Sequence, residues 1–221
     1  MTKLSSPVKL IKDSVEIYSK KENMIFFAKI YALLLPFNLF NLFQGLMLDG
    51  SGQPKNLWFT IIIVAANVLN FLIYILVSAA GIEAVGRVIE ERKLSFKEVV
   101  NVGWKKYGVF FLLTILLGLV IGLGFVLLIV PGVLFLVWFS FSRFIIVENK
   151  IGIKSAFLKS KELVKGRFWP VFGRLIVFGL FSSVVGILVA LIPYGVGIIL
   201  GTFLGALFLV PYYLLYRELS V

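Results

Sequence analysis

The sequence contains no cysteine and no histidine. Without cysteine the chain has no disulfides, no thiolate chemistry and no cysteine-ligated metal. Without histidine it lacks the commonest general base and the commonest metal ligand. The side chains left for chemistry are those of Asp, Glu, Lys, Arg, Tyr and Ser. We therefore predict that the protein is not an enzyme and that it has no cofactor and no metal.

Acidic residues are also scarce, with 11 Asp and Glu against 22 Lys and Arg, which gives a net charge of +11. The basic residues fall between apolar runs and form no separate module, so we do not expect a nucleic-acid partner. Basic loops of membrane proteins usually lie on the cytoplasmic side, where they meet anionic lipid headgroups. The predicted partners are therefore the membrane and its anionic lipids, and membrane-protein partners remain open.

Apolar residues dominate the chain, which is 60% hydrophobic with a mean hydropathy of +1.03. Soluble domains are nearer ~45–50% apolar, and a helix needs ~20 apolar residues to cross a bilayer. The sequence therefore predicts an all-α polytopic membrane protein, a single transmembrane domain over residues 1–221 with six spans in three hairpins. The predicted spans are about 24–48, 57–80, 108–130, 132–147, 170–192 and 196–216.

Connections rich in lysine and arginine alternate along the chain with connections that contain almost none. The basic stretches are 1–23, 81–107 and 148–169. The intervening connections at 49–56, around Pro131 and at 193–195 contain a single basic residue, Lys55. By the positive-inside rule, this asymmetry predicts that both termini are cytoplasmic, in an inner or plasma membrane. The first run lacks a cleavage site and is too long for a signal peptide, so we interpret it as an uncleaved span.

The three basic stretches share an apolar pattern with helical spacing. In the third stretch the pattern consists of Ile153, Ala156, Phe157, Ser160, Leu163 and Val164. In the second, Phe96, Val99, Val100, Gly103 and Tyr107 occupy related positions 57 residues earlier. Val8, Ile11 and Val15 give a fainter version in the first. We predict three repeats (about 7–93, 94–150 and 151–221), each an interfacial amphipathic helix followed by a hairpin. The alternative is that these stretches are ordinary solvated loops.

Residues 131–170 contain a distinctive motif. A Pro-Gly pair begins an apolar span that ends at a Glu. A Gly follows, and then the pattern A-x-x-x-S-x-x-L-V-x-G-x-x-W. Its residues are Pro131, Gly132, Glu148, Gly152, Ala156, Ser160, Leu163, Val164, Gly166 and Trp169. The motif resembles the membrane domains fused to some glycerophosphodiester phosphodiesterases and their stand-alone YciC-like relatives. The resemblance implies a six-span membrane protein without an assigned activity. We do not expect the fused phosphodiesterase barrel within these 221 residues, since such a barrel takes ~250 residues.

Carboxamides follow one another through the first two spans. They are Asn38, Asn41 and Gln44 in the first span and Asn67 and Asn70 in the second. In a hairpin Asn38 and Asn67 lie at the same depth, so they are expected to pair and to stabilise the packing by ~0.6–2 kcal/mol. The alternative is a polar site in a small-molecule transporter. Pro36 is expected to kink the first span.

Charged residues surround the end of the fourth span. We predict that Glu148 joins this span to the following helix, either by accepting from backbone amides at the start of that helix or by pairing with Lys150, Lys154 or Arg174. The alternative is a headgroup or substrate site. The candidate lipid-headgroup residues are Arg143, Lys154, Lys159, Lys161, Lys165 and Arg167, for which simple surface anchoring is the alternative. The favoured hypothesis is a non-enzymatic membrane protein that engages the cytoplasmic leaflet and organises lipids or membrane partners, and a small-molecule transporter is the second. A less favoured third hypothesis is a lipid-modifying enzyme that uses Glu83, Glu148 or Glu218.

Small residues recur at positions that predict close packing. Ser160 lies within an apolar stripe and has no evident base nearby, so we interpret it as a packing residue and not as a nucleophile. Gly118 and Gly122 form one GxxxG pair. Gly197, Gly201 and Gly205 form two more, and such spacing lets helix backbones approach one another closely.

Overall fold

The computed structural model describes residues 4–44, 47–149, 151–192 and 194–220. Helices account for most of this part of the chain, with no strand among the described residues. They are α1 (Pro7–Ser19), α2 (Lys21–Tyr31), a short 3₁₀ helix (Ala32–Leu34), α3 (Leu35–Gln44), α4 (Leu57–Ile89), α5 (Phe96–Leu127), α6 (Ile129–Phe139), α7 (Ser142–Glu148), α8 (Ile153–Val164), α9 (Phe168–Ala190), α10 (Tyr194–Phe203) and α11 (Gly205–Ser220).

Six helical stretches of the described chain are long and apolar enough to cross a membrane. They are Lys21–Asn41, Leu57–Ile89, Phe96–Leu127, Ile129–Glu148, Phe168–Ala190 and Gly195–Ser220. Large apolar side chains cover their outer faces; Trp58 is 75% exposed and Val126 is 82% exposed. Such faces are unusual against water and normal against lipid. The predicted all-α class and the six spans are confirmed, and they fit a multi-pass membrane protein.

The first span is interrupted where proline was expected to disturb it. The 3₁₀ helix Ala32–Leu34 separates α2 from α3, and Pro36 follows in the first turn of α3. Proline has no backbone N–H and its ring clashes with the preceding turn, so a regular α-helix does not continue through it. The last span is interrupted as well, at Leu204 between α10 and α11.

The second basic stretch does not form a separate amphipathic helix, which corrects the predicted repeat. Residues 96–107 are the first turns of α5, a continuous helix of 32 residues, and α4 continues past its predicted end to Ile89. At ~1.5 Å per residue each helix is ~50 Å long, against a ~30 Å hydrocarbon core. Gly103 packs against α4 as its pattern predicted, since an added Cβ would lie 3.1 Å from the Leu76 carbonyl oxygen. No proline or left-handed residue breaks the helix there.

The third stretch does form its own helix, α8, and buries the predicted residues Ala156, Ser160 and Val164. Gly166 ends it in the left-handed region, with φ of 77°, which favours glycine over other residues. Gly152 is its N-cap residue, and Leu163 is half-buried. Trp169 lies in the first turn of α9 and is 74% exposed.

The first stretch also forms a separate helix, α1, but with a different inner face. Val8 and Val15 are 59% and 43% exposed, whereas Leu10 and Ser14 are buried. The helix lies along α11, because the Ser5 N–H donates to the Glu218 carboxylate at 3.0 Å. Of the three residues of the predicted face, only the half-buried Ile11 packs against the protein core.

Near its other end, α1 is attached to the break in the last span. The Tyr18 hydroxyl donates to the Phe203 carbonyl at 3.0 Å. Burial raises the pKa of Tyr18, so its hydroxyl stays protonated and remains a donor.

The turn between the third and fourth spans lies three residues before its predicted place. Leu128 is extended and α6 begins at Ile129, so Pro131 and Gly132 belong to the helix. Proline is tolerated in a first helical turn because no backbone N–H is needed there. Gly132 permits close packing, since an added Cβ would overlap the ring of Phe125.

Candidate functional site

A break in the fourth span is closed by a serine from α8. Helix α6 ends at Phe139 and α7 begins at Ser142. The buried Ser160 hydroxyl donates to the Trp138 carbonyl at 2.7 Å and accepts from the Phe141 N–H at 3.2 Å. Ser160 therefore satisfies backbone groups that the break leaves without helical partners. Its structural interpretation agrees with this geometry, although the hydrogen bonds were not foreseen.

A cavity of about 950 Å³ lies between the spans, just beyond this break. All six spans contribute to its wall, most of which is aliphatic or aromatic. The residues with polar groups on the wall are Tyr31, Tyr74, Ser78, Thr114, Ser140, Arg143 and Tyr212. No Asp or Glu occurs among the described lining residues. We call this space the central cavity.

Two glycines leave room for the central cavity. Gly118 and Gly122 line it, and a Cβ added at either position would have no neighbouring atom within 4 Å. The prediction that this GxxxG pair packs against a helix is therefore wrong. The expected close approach does occur at Gly205, where an added Cβ would overlap the ring of Tyr31, and at Gly197, where it would lie 2.7 Å from the Val189 carbonyl oxygen.

Arg143 is the charged residue of the central cavity. It lies on α7, is half-buried, and makes no hydrogen bond or ion pair with any described residue. An arginine within a membrane span is costly unless it is paired or reaches a polar environment. A guanidinium group offers five N–H donors in a planar arrangement that matches phosphate and carboxylate oxygens. The position of Arg143 therefore favours an anionic ligand.

Glu148 joins α7 to α11, not to α8. Its carboxylate accepts hydrogen bonds from the Tyr213 hydroxyl and, at 2.8 Å, from the Tyr216 hydroxyl. The predicted partner Arg174 instead donates to the Leu4 and Ser5 carbonyl oxygens. Lys154 has no partner among the described residues, and Lys150 lies outside them. The predicted link between the fourth span and α8 through Glu148 is therefore not formed, and Glu148 joins the fourth span to the sixth instead.

The other two candidate glutamates are also engaged. Glu83 accepts from Arg87 at 2.8 Å and from Arg92 at 3.2 Å, while Glu218 holds the Ser5 N–H. The three glutamates of the enzyme hypothesis therefore contact three different sets of protein groups. This arrangement gives no support to a paired-carboxylate site.

The four candidate asparagines line a second cavity, of about 590 Å³, which we call the asparagine cavity. The predicted pair between Asn38 and Asn67 is not formed. The Asn38 amide donates to the Thr202 hydroxyl at 2.8 Å, because α3 packs on α10. The Asn67 amide donates to the Ile63 carbonyl of its own helix at 2.9 Å.

Two amides of this cavity remain without protein partners. The side chains of Asn41 and Asn70 make no hydrogen bond with another described residue. Gln44 is the last residue of α3 and does not line the cavity. The asparagine cavity therefore presents free amide groups, each of which can donate and accept hydrogen bonds.

The basic residues of α8 lie apart from Arg143. The Lys161 ammonium stands 4.4 Å from the centre of the Trp138 ring, a cation–π contact. Lys161 and Lys165 line a third cavity of about 550 Å³ beside Gly166. Lys154 and Lys159 are exposed, and Arg167 is the half-buried residue before α9. The six proposed headgroup residues therefore form a basic surface on α8 and the connection that follows it, and a separate site at Arg143.

Comparison of the chain with protein-family models, with curated proteins and with solved structures gave no match. The resemblance of residues 131–170 to the phosphodiesterase-associated membrane domains therefore stays a prediction.

Proposed function

We propose that the protein binds an anionic lipid of the cytoplasmic leaflet in its central cavity and has no catalytic activity. The observation that carries this proposal is the unpaired guanidinium group of Arg143 on the wall of a large, mostly apolar space. An anionic headgroup would neutralise the arginine, and acyl chains would contact the aliphatic and aromatic wall.

The size and composition of the cavity support a ligand of this kind. Small-molecule sites usually measure ~300–1,000 Å³ and combine apolar walls with a few polar groups. The central cavity, at about 950 Å³, lies at the upper end of that range. Because its described lining contains Arg143 and no carboxylate, its electrostatics favour anions over cations.

The basic surface of α8 supports recruitment from the cytoplasmic leaflet. In this proposal α8 lies at the cytoplasmic interface, and the six spans form three hairpins. Each exposed lysine of α8 adds ~1 kcal/mol of attraction to an anionic membrane surface. The surface thus concentrates anionic lipids close to the central cavity without selecting one of them.

Mass spectrometry of lipids that co-purify with the protein tests this proposal. The protein is extracted together with surrounding membrane, exchanged into mild detergent and compared with Arg143→Gln. We expect wild-type protein to retain an anionic phospholipid and Arg143→Gln to retain at least about tenfold less, since a charged hydrogen bond contributes ~1.5–3 kcal/mol. Equal retention by both proteins would refute lipid binding at Arg143.

A matched pair of glycine variants tests the position of the lipid. Gly118→Leu places a side chain in the central cavity, whereas Gly108→Leu changes a glycine of the same helix that does not line it. A Cβ at either position meets no atom within 4 Å, so both variants should fold. Lipid should be lost from Gly118→Leu and kept by Gly108→Leu, and the opposite pattern would place it elsewhere.

A further inference from the structure

We infer that the central cavity and the asparagine cavity are two ends of one passage, through which the headgroup of an anionic phospholipid moves between leaflets. This inference rests on the proposed function, because the same lipid would first bind at Arg143. It adds an activity, the exchange of lipid between leaflets down its concentration gradient, and it requires no covalent step.

The two cavities are stacked along the spans. On α4, the asparagine cavity begins at Asn67 and ends at Tyr74, and the central cavity continues from Tyr74 to Ile82. The distance from residue 67 to residue 82 along a helix is ~22 Å, against a ~30 Å hydrocarbon core. Together the cavities therefore extend over most of the thickness that a headgroup has to cross.

A neck separates the two cavities. Tyr31, Leu34, Tyr74 and Gly205 line both of them. The ring of Tyr31 lies so close to the Gly205 backbone that a Cβ there would overlap it, and the Tyr31 hydroxyl would lie 3.0 Å from a Cβ added at Gly81. The first and last spans are therefore in close contact at the neck, and a passing headgroup must displace Tyr31.

Two of the three spans that form the neck, the first and the last, are interrupted beside it. The 3₁₀ helix Ala32–Leu34 follows Tyr31 directly, and the break at Leu204 precedes Gly205 directly. Interrupted helices at membrane depth recur at transport sites, because they allow one segment to move relative to the next. The outer segments α3 and α10 are joined by the hydrogen bond between Asn38 and Thr202. The interruptions therefore place a hinge in each of these two spans at the level of the neck.

The lining of the passage matches an anionic headgroup. Arg143 at one end and the free amides of Asn41 and Asn70 at the other present N–H donors. The hydroxyls of Tyr31 and Tyr74, between these ends, have no hydrogen-bond partner among the described residues. No Asp or Glu occurs in the described lining of either cavity, so phosphate oxygens meet donors and no carboxylate throughout.

Exchange of a tail-labelled fluorescent phosphatidylglycerol between leaflets of reconstituted vesicles tests the inference. Albumin extracts labelled lipid from the outer leaflet without a reductant, so the assay itself leaves a reducible cross-link intact. Because the chain contains no cysteine, the double variant Asn38→Cys/Thr202→Cys can be joined selectively by a short, reducible bis-thiosulfonate reagent. We expect wild-type protein to make the inner-leaflet lipid extractable, and cross-linking to slow this at least tenfold until the link is reduced.

The double variant before cross-linking is the matched control, and its own exchange rate is the baseline for the cross-linked form. Tyr31→Ala, which opens the neck, should raise the exchange rate.

If wild-type vesicles exchange lipid no faster than protein-free vesicles while Arg143-dependent lipid binding persists, the passage is refuted and the proposed function stands. Exchange unaffected by the cross-link would place the route elsewhere. Loss of Arg143-dependent binding itself would refute the proposed function.

Discussion

Two buried serines near the break in the fourth span differ in their hydrogen bonds. Ser160 binds Trp138 and Phe141, whereas the Ser142 hydroxyl is buried without a partner among the described residues. Ser160→Ala leaves the part-buried Trp138 carbonyl and the buried Phe141 N–H without this partner, so we expect it to lower the free energy of unfolding by ~1–3 kcal/mol. Ser142→Ala removes an unsatisfied hydroxyl and should leave stability unchanged or raise it. Denaturation of both variants in detergent measures the difference, and equal losses would contradict this assignment.

Residue types could be predicted from the sequence better than their partners. A charged residue in an apolar run identifies Arg143 as unusual, and three-residue spacing identifies the asparagines. The partner of Glu148 could not be predicted, because Tyr213 and Tyr216 lie more than 60 residues away in the chain. Asn38 likewise binds Thr202 of the last span and not Asn67 of the next one. Such contacts depend on helix order in space, which local pattern does not contain.

At the scale of the elements, an ion-pair network joins α4, α5 and α11. Arg87 binds Glu83 at 2.8 Å and Glu98 at 2.6 Å, and Arg217 of α11 binds Glu90 at 2.9 Å. The network lies where α4 and α5 extend beyond the apolar region. Its members Glu83, Arg87, Glu90 and Glu98 all belong to the basic stretch 81–107.

The buried member of this network is expected to matter most. The Glu83 side chain is 10% exposed and that of Glu98 is 56% exposed. Glu83→Gln leaves Arg87 and Arg92 without this carboxylate, and loss of one partner of a buried ion pair lowers stability by ~3–5 kcal/mol. Glu98→Gln should lower it by ~0–1 kcal/mol, because exposed pairs contribute little. Comparable melting temperatures for the two variants would contradict the predicted difference.

The sequence predicted the existence of the helices better than it predicted where they begin and end. Apolar runs predicted all six spans, because ~20 consecutive apolar residues leave few alternatives. The continuity of α5 was missed, since amphipathic spacing looks the same in a separate helix and in the first turns of a long one. The break in the fourth span was missed too, because Ser160 satisfies it from another helix.

For the whole molecule, the charge asymmetry predicts the orientation in the membrane. The absence of cysteine lets single-cysteine variants report it without background. An impermeant thiol reagent applied to intact cells should label Ser51→Cys, in the connection after the first span. It should label Lys159→Cys, on α8, only after permeabilisation, since both termini and α8 are predicted to be cytoplasmic. Labelling of Lys159→Cys in intact cells would reverse the proposed orientation.

Lipid binding at Arg143 is tested most directly by the melting temperature of the purified, delipidated protein as anionic phosphatidylglycerol or zwitterionic phosphatidylcholine is titrated into detergent. A ligand at 100 times its Kd stabilises the folded state by ~2.7 kcal/mol, which corresponds to a rise of ~5–11 °C for a chain of this size. Lys105→Gln removes the same charge from an exposed position on α5 and is the matched control. Phosphatidylglycerol should raise the melting temperature of wild-type protein and of Lys105→Gln well above the value in phosphatidylcholine, and should give Arg143→Gln no such advantage. An equal rise for all three proteins would show that anionic lipid acts at the surface and that Arg143 does not bind it.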